Sequence, residues 1–208
     1  MRIYIFFSIA TIFLLSCSVS KDFQLTQLNN DKIEVNFIDY GETRQCFIFL
    51  RKKIELKNPY LLPAKVKLNY FIDGEQKDED EAYPMDYGKD GNLYVIRDED
   101  PETLYKIKIK PLYEKEFFYE IFITIKSFEF IGIYKSLEQY IPLAKHPIKK
   151  SDLTGETFED TMVLVYKESF SEFKKKNPAL ADSLTKNSSF ELEVLSPIKA
   201  KYRYDAQW

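Results

Sequence analysis

Histidine occurs once in this 208-residue chain, at position 146, and tryptophan once, at 208; there are two cysteines and six glycines. Each scarcity closes off chemistry. A Ser–His–Asp or Cys–His mechanism would have to use His146. That residue lies between Lys145 and Pro147 in a basic stretch, with no carboxylate marked as its partner. Zinc sites draw on several His or Cys ligands, and this inventory does not supply them. No Gly-x-Ser-x-Gly, Gly-x-Gly-x-x-Gly or P-loop run is present, so neither a nucleophile elbow nor a nucleotide cofactor is expected. Two cysteines make no disulfide framework.

Aromatics fill the space glycine leaves. Seventeen Phe and fifteen Tyr favour strands, and a hydrophobic fraction of 45 % is enough for a real core. Net charge is −3, and nucleic acid, which calls for a basic surface, is not an expected partner. The length suits one domain.

The chain opens on Arg2, then an uncharged apolar run over Ile3–Leu15, then Leu14-Leu15-Ser16-Cys17. The run is shorter than the roughly 20 residues a membrane-crossing helix needs and has the length of a secretory h-region. This segment resembles the signal peptide of bacterial lipoproteins. Leu14 fits the large aliphatic position, Ser16 the small residue before the cut, and Cys17 the acylated cysteine. Leu15 is bulkier than the usual residue at its place. The resemblance covers about the first twenty residues and implies cleavage after Ser16, lipidation of Cys17 and a membrane partner reached through acyl chains. Ser18 after the cysteine, where Asp would favour the inner membrane, implies the outer membrane. Cleavage removes one charge and takes the net value to about −4. The polar segment 17–31 then reads as a flexible tether, and 32–208 as a single domain.

Alternation dominates the rest. Residues 33–40, 64–72 and 189–195 place apolar residues at every second position, a strand signature. Residues 45–57 predict one long strand, or two broken near Arg51–Lys53. Residues 117–130 are apolar on most of both faces and predict a central strand. Residues 93–97 and 103–110 predict a hairpin, 75–91 an acidic loop, and 198–204 a last strand. Residues 135–141 suggest a short helix. Phe158, Met162, Val165, Tyr166, Phe170 and Phe173 recur at helical spacing over 158–176, although 162–166 alone also fits a strand. Asn177-Pro178 starts a further helical piece, with Asn177 as a possible cap. The expected fold is mainly β: an antiparallel β-sandwich of immunoglobulin-like architecture with a short C-terminal helical insertion.

Several constellations compete for function. Asp73–Glu81 is acidic, and Asp86 and Asp90 with Gly91 occupy the first, fifth and sixth places of a calcium-loop pattern. Gly88 stands at the third place and Arg97 at the twelfth, where carboxylates belong, so a glycine-supported hairpin turn is the competing reading. Lys145–Lys150 and Lys174–Lys176 are basic and suit an anionic surface or plain solvent. Cys46 sits in an apolar strand and reads as a small buried hydrophobe. Tyr202, Tyr204 and Trp208 either seal a sheet edge or lie exposed. The expected function is a membrane-anchored, non-catalytic binding or structural module of the cell envelope, its partner an envelope protein or glycan. The alternative is a lipid-anchored hydrolase acting on glycan through paired carboxylates, which needs no histidine.

Overall fold

The structure is a computed structural model that describes residues 22–40, 43–97, 105–126, 131–149 and 162–208. The signal segment and Cys17 lie outside the described residues, as do 98–104, 127–130 and 150–161.

The described chain is mainly β, in antiparallel sheets. Its strands are β1 (Gln24–Tyr40), β2 (Thr43–Lys57), β3 (Ala64–Ile72), β4 (Glu75–Gln76), β5 (Ala82–Tyr87) and β6 (Leu93–Val95). They continue with β7 (Ile107–Ile109), β8 (Glu114–Lys126), β9 (Lys145–Lys149), β10 (Met162–Ser169), β11 (Ser189–Ser196) and β12 (Ala200–Asp205). Three short helices are described: α1 (Ile131–Glu138), α2 (Phe170–Lys176) and α3 (Pro178–Thr185). One sheet has seven strands in the order β6-β5-β8-β2-β1-β10-β9 and curves into a half-barrel. The other runs β12-β11-β3-β4, with β7 also on β3.

Curvature follows from length. β1, β2 and β8 are 17, 15 and 13 residues long, and strand twist accumulates over such runs. A bulge between Leu28 and Lys32 bends β1 further.

One row of each long strand faces a common core. Ile33, Val35 and Phe37 of β1 join Cys46, Ile48, Leu50, Ile54 and Leu56 of β2 and Phe117, Tyr119 and Ile121 of β8. Val66, Leu68 and Tyr70 of β3 and Phe190, Leu192 and Val194 of β11 join the same cluster from the second sheet. Full burial of each such side chain contributes about 1.5–3 kcal/mol. Buried Tyr119 donates its hydroxyl to Leu68 O at 2.9 Å and Ala82 O at 3.2 Å, and its ring lies 5.5 Å from Phe190. Phe170 and Phe173 of α2 and Leu180 and Leu184 of α3 extend the core.

First and last strands hold each other. Gln27 donates to Asp205 O at 2.7 Å and accepts from the Gln207 amide at 2.8 Å. The Tyr204 hydroxyl reaches Phe23 O at 3.3 Å. Trp208 packs on Phe170, ring to ring at 5.5 Å, and donates to Ser188 Oγ.

Four expectations need correction. Residues 24–31, expected within the tether, are the first half of β1, because Phe23 is buried and Leu25 packs against the core. Residues 162–169, placed in a helical face with a strand over 162–166 as the alternative, are β10. Its ladder with β1 outweighs the helical spacing, and Ser169, accepting from the Glu172 amide, caps α2 only afterwards. The 93–97/103–110 hairpin does not form: β6 pairs with β5 and β7 with β3. The loop expected over 75–91 contains β4 and β5.

Candidate functional site

The seven-stranded sheet has a second face, and it carries a buried cluster of charge. Glu34 on β1, Arg51 on β2, Glu120 on β8 and Tyr83 on β5 are brought side by side by the registers 34↔49, 51↔120 and 83↔120. Arg51 Nη1 lies 3.2 Å from Glu34 Oε2, and Arg51 Nε donates to Glu120 Oε2. Lys167 of β10 adds a second cation to Glu34 at 2.9 Å. Tyr83 donates to Glu120 Oε1 at 3.0 Å, and Asn36 Nδ2 donates to Glu34 Oε1 at 3.1 Å. Three of the four carboxylate oxygens accept hydrogen bonds; the fourth, Glu34 Oε2, has the two cations beside it and no hydrogen bond.

These contacts act on Arg51 and Tyr83. Burial works to lower the Arg51 pKa, but Glu120 and Glu34 together outweigh it and hold it above its ordinary value. Burial, reinforced by the Glu120 charge, raises Tyr83. Beside the cluster the aromatics Phe47, Phe49 and Phe122 form a half-buried run with ring centroids 5.1–5.4 Å apart.

Where the β1–β10 ladder ends, at the β1 bulge, a cleft of about 290 Å³ opens between Asp31, Glu34, Arg51, Lys167 and Glu168. Next to it, on the core face of β2, lies Lys52. Its side chain is 1 % exposed, its ammonium sits 2.7 and 2.8 Å from the two Asp31 oxygens, and it lies 4.8 Å from the Trp208 ring centroid. Burial lowers the Lys52 pKa and raises that of Asp31; their mutual attraction only partly opposes this.

The residues singled out from sequence fall elsewhere. Asp90 closes a hairpin turn: it accepts from the Asn92 amide at 3.1 Å, Asn92 Nδ2 at 2.8 Å and the Tyr94 hydroxyl at 2.6 Å. Gly88 belongs to that turn because a Cβ there would meet Tyr94 at 2.6 Å. Asp86 faces Lys115 at 3.5 Å. The structure does not bring Asp86 and Asp90 into a ligand set, and no group of three or more metal-ligating side chains occurs among the described residues. In the acidic stretch Glu79 pairs with Lys67 and Glu81 with Lys77. Lys174, Lys175 and Lys176 each meet a carboxylate, on Asp182, Glu172 and Glu168.

His146 lies on edge strand β9, not in a loop. Cys46 is fully buried, and burial pushes its thiol up to about 12. Tyr202 and Tyr204 hydrogen-bond to Asp22 and Phe23, so they hold a sheet edge. Asn177 is the N-cap residue of α3, its carbonyl accepting from the Ala181 amide at 2.9 Å, but its side chain makes no cap bond and instead bridges Tyr140, Phe173 O and Gln139.

Sequence reasoning missed both charged clusters. One signal was present: Lys52 interrupts an every-second-residue apolar row from Cys46 to Leu56.

No known protein family, curated protein or solved structure matches this chain.

Proposed function

We propose that the protein is a membrane-anchored lipoprotein, held through acyl chains on Cys17, that acts as a non-catalytic binding or structural module of the cell envelope. The anchor reading is supported by Leu14-Leu15-Ser16-Cys17 after a short apolar run. The outer-membrane placement rests on Ser18. The non-catalytic reading is supported by one observation: Glu34 and Glu120 are both ion-paired with Arg51, with Lys167 and Asn36 also on Glu34 and Tyr83 also on Glu120. A glycosidase pair needs one carboxyl free to give a proton and another free to meet water or the sugar. The half-buried aromatics beside that network suit contact with a protein or glycan surface. We also infer that the two sheets form a sandwich of immunoglobulin-like type, a reading supported by the single core their inner rows share.

Two measurements test this. Fatty-acid labelling of cells should mark the wild type and fail in Cys17→Ser, which accumulates as unprocessed precursor; labelling that persists in the mutant defeats the anchor. The acylated protein should release no sugar from envelope glycans above a no-protein control. Turnover abolished by both Glu34→Gln and Glu120→Gln would establish the hydrolase instead.

A further inference from the structure

Among the described residues eight large apolar side chains are exposed, and seven of them gather at one end of the molecule. The registers define that end. The start of β1 meets the end of β2 (Gln24↔Lys57), which meets the start of β8 (Lys57↔Glu114). The start of β3 meets the end of β7 (Ala64↔Ile109) and of β11 (Lys65↔Ser196). The connections leaving these strands present Leu61, Leu62, Leu112, Tyr113 and Ile198, with Tyr87 and Tyr94 on the neighbouring hairpin.

This end is built rigidly. Asn58 is fully buried and staples two connections: its amide group donates to Leu62 O at 2.9 Å and Lys110 O at 3.0 Å, and its backbone N–H to Tyr113 O at 3.0 Å. The Leu112 amide donates to Tyr60 O at 3.0 Å. Pro59, Pro63, Pro111 and Pro197 restrict the same segments. Leu112 has φ +51° and is 62 % exposed. A leucine in the left-handed region is strained, and here burial within the protein does not offset that cost.

The chain path points to the occupant. Residues 58–63, 110–113 and 197–199 themselves contain Lys110 and Lys199 and no acid, while Glu55, Asp86, Glu114 and Glu116 border Lys110 and Tyr113 on the hairpin side. The N-terminal segment joins the fold at this same end, where Phe23 packs on Tyr60 with centroids 5.6 Å apart. Cys17 stands six residues before Phe23, so even fully extended chain spans at most about 22 Å between them. An acyl anchor on Cys17 therefore keeps this end within about 22 Å of the bilayer.

We propose that these connections dock onto the anionic lipid surface that receives the anchor. Leu61, Leu62, Leu112 and Ile198 seat at headgroup depth, Tyr113 lies at the interface, and Lys110 and Lys199 meet lipid phosphates. The inference rests on the lipoprotein reading above, and its test separates the two.

Full-length acylated protein carrying Leu61→Cys, or Glu75→Cys at the far end of β3 about 26 Å away, is labelled with an environment-sensitive fluorophore. It is then reconstituted into phosphatidylethanolamine–phosphatidylglycerol vesicles containing nitroxide lipid. The label at 61 should shift to the blue and be quenched severalfold more than the label at 75. Adding Leu62→Asp and Leu112→Asp, both exposed changes whose folding is checked by circular dichroism, should bring it to the level of 75. Equal quenching at the two sites of acylated protein overturns the docking and leaves the anchor standing. A chain without fatty acid overturns both. A blue shift that needs no vesicles and grows with protein concentration assigns the patch to a second copy, and also overturns the proposal.

Discussion

Arg51 and Lys52 are neighbours in sequence and point to opposite faces of one strand. Lys52 lies among apolar side chains with a single carboxylate, Asp31, and the Trp208 ring. Arg51 lies between two carboxylates that are themselves held by Tyr83, Asn36 and Lys167. Burial opposes both cations, yet the pKa of Lys52 falls and that of Arg51 rises. Lysine is a point charge that one partner cannot fully compensate; the guanidinium fork engages two at once. The number of counter-charges within reach, more than depth, decides whether a buried cation is reinforced or strained.

The largest expected effect breaks the outward network. Arg51→Ala leaves two buried carboxylates short of their shared cation and should cost about 3–5 kcal/mol, read from urea denaturation. Arg51→Lys should recover only part, because lysine cannot span both acids. A loss no larger than that of a surface lysine would show that the network is not structural.

On the core face the loss should be smaller. Lys52→Met keeps the apolar stem, and Asp31 is near enough to water to hydrate, so roughly 1–2 kcal/mol is expected. The double variant Lys52→Met, Asp31→Asn should regain most of it, since replacing a buried pair is often close to neutral.

That double variant also exposes the pH dependence. Asp31 has its folded pKa raised above 3.8, so the stability it contributes is complete below that value and is lost as pH rises through the folded pKa. Lys52 has its folded pKa lowered below 10.5, so its contribution is complete above that value and is lost as pH falls through the folded pKa. Wild-type stability relative to the double variant should therefore fall as pH rises from 3.8 into the neutral range. A flat difference would contradict the assignment.

Smaller still is Tyr83→Phe, which removes one hydrogen bond to Glu120 and should cost about 0.5–1.5 kcal/mol. Lys57→Ala breaks only an exposed pair with Glu114 and should shift the urea midpoint least of all. It sets the baseline for the others.

Much of the β architecture was legible. The alternation in 64–72 and 189–195 survives as β3 and β11, because each strand has one face in the core and one in water. What failed was choice of partner. β6 and β7 read as a hairpin because they are close in sequence, but each is captured by a strand of a different sheet. Met162–Ser169 carries spacing that suits helix and strand alike, and only the long ladder with β1 decides between them. The charge cluster was out of reach for a plainer reason. Glu34 and Glu120 are two of 33 acids, and nothing local marks them until three strands align. Lys52 was more accessible, since a lysine inside an apolar row asks for a buried counter-charge.

The grip between the first and last strands orders events during synthesis. Gln27 waits for Asp205 and Gln207, partners 178 and 180 residues later. Lys52 waits for the indole of Trp208. A chain emerging N-terminus first has β1 and β2 long before the residues that complete their surroundings, so closure is deferred until the final stretch appears. Such late, long-range closure is slow, so the surroundings of Gln27 and Lys52 stay incomplete until residues 205–208 have been added.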